Sequence, residues 1–473
     1  MKLSHIKRRT AGFALPILLG IAVALGGSSV PDEAPRLWLS LATLILLIAL
    51  LPVATREDWS RPTQFVLLLS ALWLVWCALQ LVPLPRWLWS RLGDRSVIVE
   101  GLDLLGLPIN QPMPISFSPL EGRLSLAATA APLALFLLVS MLGWRKGASR
   151  LSWTVPILGA LSALLGLAQI LTENSAHLYF YENTNPGSPV GIFANTNHQA
   201  CFLAMCLPFA AAAIREVRGN WRSGDEDHAK AIACAVLSLI LLIGVLAAGS
   251  GAGYLLLVPA LVLGVIIARK PASSKKVQIK LPFIVMATAV LSAIVVASSP
   301  VLGGLGLAGL DTSRTSRIEI WGLTGEVAAD HWLFGTGIGS FDEVYRLYED
   351  PDTVTRTFAN HAHNDYLQAI VEFGLPGTLV VGLGLLLFGY LFFRVWSQHG
   401  DEHRHLKRAA ATALLIALLH SFVDYPLRTP AVACLAATCF ALLVMDPANK
   451  RGKGRRSTQQ PGSHANKARH RVI

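Results

Sequence analysis

Long runs of uncharged, apolar residues recur along this 473-residue chain, and they constrain its fold more than any other feature. A helical run of about 20 residues matches the ~30 Å hydrocarbon core of a bilayer, whereas a barrel strand needs only about ten residues of alternating character. Twelve such runs are found, near 11–28, 37–54, 64–82, 124–143, 151–172, 197–214, 231–248, 254–268, 281–300, 375–393, 409–424 and 430–445. The composition, 53% hydrophobic and 15% charged with a mean hydropathy of +0.52, is that of a membrane protein. In lipid only helices and closed barrels satisfy their own backbone hydrogen bonds. The expectation is an all-α integral membrane protein of about twelve transmembrane helices.

Charge sets the orientation. Lys and Arg gather in cytoplasmic loops, and "MKLSHIKRR" starts the chain inside. With alternating loops, only ten of the 40 Lys and Arg fall outside, and all ten are arginine. Both termini are thus expected in the cytoplasm of a bacterial inner membrane protein, with residues 1–446 as the membrane domain and 447–473 as a basic, disordered tail. The net charge of +11 raises nucleic acid as a partner. A basic tail beside an anionic leaflet accounts for it without one, so no nucleic acid is expected. The first run is read as helix 1 rather than a cleaved signal, since eleven runs follow. The six cysteines fall within the spans, where they act as small packing residues.

Function concentrates at one face. The segments 83–123, 173–196 and 301–372 are long for mere connections. Within the last, "SRIEIWGLTGEVAADHWLFGTGIGSF" reads as an amphipathic helix with Ile318, Trp321, Leu323 or Thr324, Val327 and Ala328 on one side, stopped by Gly335, Gly337 and Gly339. It is expected to lie on the membrane or cap the bundle. "HNDYLQAIVEFGLPG" then resumes helical spacing and leads through Gly374 and Pro376 into the next span. Most spans carry no ionisable residue, which disfavours an ion-coupled transporter. The exceptions, His198, His420 and Asp424, sit at span ends.

The outward-facing groups include Arg123, Arg314, Arg317, Arg346, Arg356, Arg428, His361, His363, Asp365, Glu372, Asp424, Asn195 and Asn197. Guanidinium groups keep their charge and fork onto phosphate oxygens, so arginines at this rim point to an anionic head group, though rim arginines also serve as anchors. If 361–363 is extended, His361 and His363 face one way and could share a metal; if helical, only one faces the site. A neutral histidine also suits the role of general base. Asp424 and Arg428 either pair and close the last two spans or contact sugar hydroxyls.

The spacing H-N-x9-G-x-x-G in "HNDYLQAIVEFGLPG", at His363, Asn364, Gly374 and Gly377, resembles the signature of the O-antigen ligase and Wzy-type polymerase family. "SRIEIW" is similar to that family's Arg-x-x-x-Trp segment, with Arg317 and Trp321 in place, and "GIFANTNHQACFLAMCLP" to its Asn-bearing helix start, with Asn197 in place. The resemblance implies a GT-C type glycosyltransferase acting at the periplasmic face on a glycan carried by undecaprenyl diphosphate. It implies an inverting, metal-independent reaction without a cofactor. His363 would be the base and Arg317 a diphosphate ligand, with Arg314, Asn197, His361, Asn364, Asp424 and Arg428 as further substrate contacts. The expected partners are the lipid-linked donor, a glycan or lipid A core acceptor, the bilayer and other polysaccharide assembly proteins. One position departs: "AAGSGAGYLLL" has Gly251 where the family has Arg, so another arginine, such as Arg314, Arg123 or Arg428, must take over or diphosphate binding is altered. The alternatives are a transporter of lipid-linked glycans and a noncatalytic member of an assembly complex.

Overall fold

A computed structural model of the chain describes residues 2–30, 33–54, 59–106, 111–146, 148–172, 176–182, 184–221, 224–269, 308–352, 359–398 and 401–445. The run at 281–300 and the tail 447–473 lie outside the described residues, as do the side chains of Arg314 and Arg356. The helices are α1 Lys2–Leu25, α2 Ala34–Ala54, α3 Arg61–Leu79, α4 Arg86–Trp89, α5 Ser96–Leu104, α6 Pro119–Ala128, α7 Ala130–Lys146, α8 Leu151–Leu171, α9 Thr196–Gly219, α10 Asp225–Ala247, α11 Gly251–Ala268, α12 Ala308–His331, α13 Phe341–Tyr348, α14 Asp365–Ser397, α15 Arg404–His420 and α16 Pro430–Val444. The protein is an all-α, multi-pass membrane protein: eight stretches among the described residues are long and apolar enough to cross a bilayer. Among them α6 and α7 form one crossing, Pro119–Trp144.

Helix starts follow local chemistry. Ser60 accepts from the Thr63 amide ahead of α3, Asn195 from Asn197 ahead of α9, and Ser250 from Gly253 ahead of α11. Helix α9 is the axis of the bundle and packs against α8, α10, α11 and α15. Its alanines, Ala210 to Ala213 among them, are buried, as are Ala409, Ala410, Ala411 and Ala413 of the adjoining α15. Small side chains let backbones approach, which matters where lipid is as apolar as the core. At Gly159 an added Cβ would stand 2.7 Å from Cys206 Sγ, so only glycine permits this α8–α9 approach. The outer helices turn Leu, Ile and Trp outward instead, as Trp38, Ile45, Ile48 and Leu68 do. All six cysteines are buried and unpaired, as expected of packing residues.

The described parts of segment 83–123, residues 83–106 and 111–123, are folded rather than a plain loop. The Arg95 guanidinium lies 4.7 Å from the Trp89 ring centre and 4.4 Å from that of Phe117, and donates to the Leu92 and Ile115 carbonyls. Helix α12 caps the bundle by packing on α14. Its buried face follows the sequence expectation at Thr324, Val327 and Ala328, with Trp321 half-buried, but Ile318 is exposed. Helix α12 seats on both α13 and α14, and Ile320 and Leu323 share that contact. A second difference bears on the site. Helix α15 ends at His420, not at 424, because the chain turns at Ser421 to Val423, placing Asp424 in a loop.

Candidate functional site

The spacing of the H-N motif has a direct structural cause. Asn364 is an N-cap whose side-chain oxygen accepts from the Tyr366 and Leu367 amides at 3.1 and 3.0 Å. The half-helix it starts runs from Asp365 to Phe373 and breaks at Gly374, whose φ of 57° and ψ of −159° lie outside the helical region. Gly374 is pressed against a second left-handed glycine, Gly335: a Cβ on Gly374 would stand 2.5 Å from the Gly335 nitrogen. Gly377 in turn admits the Phe373 side chain, 2.2 Å from where its own Cβ would be. The 333–340 loop clasps the break, with Thr336 and Gly337 amides donating to the Val371 and Glu372 carbonyls. Gln80 donates to Glu372 O at 2.8 Å and to Phe334 O at 3.0 Å. The half-helix is therefore held rigidly and presents His363 at its mouth.

His363 has φ of 47°, the only positive value at a non-glycine position among the described residues. Such a conformation is uncommon for a side chain other than Asn, Asp or His and turns the ring away from the helix path. Its Nδ1 lies 3.1 Å from Asp424 Oδ1. A carboxylate only accepts, so Nδ1 carries the proton and Nε2 is left with a lone pair. Burial opposes ionisation of Asp424, but the hydrogen bond from His363 and the positive charge of Arg317 hold the carboxyl well below the usual range. The Asp424 side chain is fully buried while His363 stays partly accessible.

Around this pair stand His198 and His420, whose Nε2 atoms lie 4.0 and 3.9 Å from the Asp424 oxygens. Asp424 Oδ2, His198 Nε2 and both His420 ring nitrogens are buried with no hydrogen-bond partner among the described residues. Tyr425 joins the cluster: its ring is 4.1 Å from His361, 5.0 Å from His363 and 4.8 Å from His198. The side chains of Asn360 and Asn195 stand beside its hydroxyl. Arg317 is near enough for its charge to act on Asp424, and Trp321, one turn on, donates to Ala362 O at 2.9 Å, seating α12 on the histidine loop.

Segment 361–363 is neither of the two arrangements the sequence allowed, since it precedes the helix and turns through a left-handed residue. The two rings find different partners. Gln368 donates from Nε2 to His361 Nδ1 at 3.1 Å, and accepts from the Ala362 amide through Oε1 at 3.0 Å. Burial, with the positive charges of Arg428 and Arg36, holds His361 well below its usual value, so it is neutral. Among the described residues no three His, Cys, Asp or Glu side chains are placed to share a metal.

Asp424 and Arg428 do not pair. Arg428 lies between Glu372, at 2.9 Å, and Asp365, at 3.4 Å, and ties α14 to the loop before α16. Asn197 stands at the start of α9 with its amide on the Asn195 cap. Sequence reasoning missed Gln368, Tyr425 and Arg36. The only signal for Tyr425 was its place in "HSFVDYPLRTP", next to Asp424.

Beside the cluster opens a cavity of about 1080 Å³. Arg36, Asn360, His361, Asp365, Glu372 and Arg428 give it a polar wall, and Val66, Trp73, Phe136, Val381, Phe388 and Phe440 continue it between the membrane helices. On α14 alone its apolar lining runs from Val380 to Phe388, about 12 Å of helix. The space suits a molecule with a polar head and a long apolar tail.

The O-Antigen ligase family model matches residues 236–382, a stretch that includes Arg317, His361, His363, Asn364, Gly374 and Gly377. The chain is also similar to "Exopolysaccharide production protein ExoQ" of Rhizobium meliloti (strain 1021), with 26% identity over 254 residues. That match covers 51% of this chain and 54% of the relative, so the chain spans about half the length of the curated protein it matches. Over the matched stretch the chain is O-antigen ligase-like.

Proposed function

From an O-antigen ligase-like, multi-pass membrane chain, we propose a glycosyltransferase that polymerises or transfers a glycan carried on undecaprenyl diphosphate, at the periplasmic face. The observation that carries this reading is the His363–Asp424 pair, poised at the end of a rigid half-helix beside a cavity with a polar wall and an apolar depth. The similarity to a protein named for exopolysaccharide production and to the O-antigen ligase family supports the substrate class.

In the proposed reaction the acceptor hydroxyl attacks the anomeric carbon of the donor sugar while His363 Nε2 takes its proton. Asp424, bonded to Nδ1, orients the ring and stabilises the imidazolium that forms. The anomeric C–O bond to the diphosphate breaks, and the electron pair leaves with the lipid diphosphate. Direct displacement inverts the anomeric centre. Arg317 beside the pair adds positive charge where negative charge grows, and Asn197 and His361 remain candidate sugar contacts. Asn364 acts as the cap that aims His363.

The test is incubation of the purified full-length protein with an undecaprenyl-diphosphate-linked oligosaccharide and an acceptor glycan in EDTA. Longer glycan and released lipid diphosphate are expected from the wild type and not from His363→Ala or Arg317→Ala. Bound but unconverted substrate in the wild type would overturn the transferase reading and favour transport or scaffolding.

A further inference from the structure

The loop ahead of α14 carries two histidines, His361 and His363, and both rings meet the ring of Tyr425. The proposed reaction needs one base. Two neighbouring rings that could each take the proton would compete for it, and a charge on one would oppose a charge on the other. What each ring can do is set by the partner of its Nδ1.

For His361 that partner is Gln368, fully buried in the first turn of α14. Gln368 Oε1 accepts from the Ala362 amide at 3.0 Å, while Nε2 donates to Glu372 Oε1 at 2.9 Å and to His361 Nδ1 at 3.1 Å. A backbone amide only donates and a carboxylate only accepts, so the Gln368 amide has one orientation: turned round, it would set donor against donor and acceptor against acceptor. Glu372 is itself fixed, because its other oxygen holds Arg428 at 2.9 Å. His361 Nδ1 therefore receives a hydrogen bond and carries no proton. The ring is neutral, so its one proton is on Nε2. His363 is the reverse, with Nδ1 donating to Asp424 and a lone pair on Nε2. The two histidines thus hold opposite tautomers, and His361 lines the cavity beside Asn360 and Asp365.

We propose that Gln368 is a positioning residue that fixes His361 as a hydrogen-bond donor, through Nε2, to a hydroxyl oxygen of the bound glycan, leaving His363 as the one base of the pair. This rests on the transferase reading and assigns within it a sugar contact and the residue that sets it. A sugar hydroxyl both accepts and donates, and the wall offers it the His361 N–H beside the carboxylate of Asp365. A neutral donor also adds no positive charge next to His363 as that ring takes its proton, so the contact does not oppose the chemistry.

The test uses the full-length protein in detergent, with an undecaprenyl-diphosphate-linked oligosaccharide and an acceptor glycan. The amide nitrogen of a glutamine side chain reaches about as far from the backbone as histidine Nε2, and that of asparagine only about as far as Nδ1. His361→Gln is therefore expected to keep kcat/KM within about threefold of wild type, and His361→Asn to lose about tenfold or more. Wild-type activity in both variants, or asparagine as the better replacement, overturns the His361 contact and leaves the transferase reading standing. If wild type converts no donor, that reading fails and the contact fails with it. Where both variants are inactive, the nitrogen-15 signals of the His361 ring, assigned by their loss in His361→Gln, decide: a protonated Nε2 that shifts when the donor is added supports the contact, and an unshifted signal overturns it. Gln368→Glu keeps an acceptor for the Ala362 amide but offers His361 no donor, so Nδ1 should become protonated and transfer should fall about tenfold or more. An Nδ1 that stays unprotonated in this variant overturns the role of Gln368.

Discussion

Two histidine–carboxylate pairs mark opposite ends of the bundle, and their distances are nearly the same. His405 Nε2 lies 3.0 Å from Glu216 Oε1 at one end, and His363 Nδ1 lies 3.1 Å from Asp424 Oδ1 at the other. The exposure of the two histidines is also alike, 21% and 23% of the side chain. The carboxylates differ: Glu216 is 26% exposed and Asp424 not at all. Glu216 has a second partner in Ser152 at 2.9 Å, among ordinary helix-end contacts such as Lys407 with Asp401 and the stacked rings of Trp144 and His403. Asp424 instead keeps one oxygen unpartnered among buried histidines, one residue before Tyr425, whose ring meets the cavity-lining His361. A His–carboxylate distance therefore identifies nothing by itself. What distinguishes a site is burial of the carboxylate, polar groups left unsatisfied, and space for a ligand.

This contrast can be broken by measurement. His363→Ala should lower glycan transfer by at least about a hundredfold, the usual scale for a lost general base, measured as product per time with lipid-linked donor. Equal activity would place the chemistry elsewhere. Asp424→Asn removes the charge but keeps the shape, and a loss of about tenfold or more in kcat with little change in KM is expected from a positioning role. Gly374→Ala should reduce stability by more than about 1 kcal/mol, since φ of 57° and the Gly335 backbone both oppose a Cβ. Thermal unfolding in detergent would show this, and an unchanged midpoint would mean that the half-helix is not held by the glycine clasp. His405→Ala should leave transfer within about twofold and cost about 1 kcal/mol or less, as for an exposed pair. A large loss there would erase the contrast between the two ends.

The smallest effect expected is one of pH. The Asp424 carboxyl is depressed in the folded state, so its stabilisation is fully present above its unfolded value, about 3.9 for an ordinary Asp, and is lost only as pH falls through the lower folded value. The difference in unfolding temperature between wild type and Asp424→Asn should thus stay constant from pH 8 to pH 5. A gap that closes across that range would show that Asp424 titrates there and is not held ionised.

How much of this was legible beforehand depends on how local each feature is. Membrane helices follow from the length of apolar runs, since a bilayer of fixed thickness tests each segment separately. The H-N-x9-G-x-x-G spacing was also readable, being one cap, a helical stretch and a glycine break within fifteen residues. The exposure of Ile318 was not, because Ile318 and Ile320 are equally apolar and only the seat on α13 and α14 chooses between them.

Run length and helical spacing settled the all-α membrane class and put His363 and Asn364 ahead of a helical stretch that leads through Gly374 into a span. The tertiary structure alone decided who meets whom. Asp424 joins His363 across 61 residues and Arg428 joins Glu372 across 56, although Asp424 and Arg428 are close in sequence and opposite in charge. Arg36 reaches the same cavity from the second helix. Periodicity, capping and run length act over a few turns of chain, whereas a charged side chain is attracted to any opposite charge, and only the packing of distant helices fixes which one lies within reach.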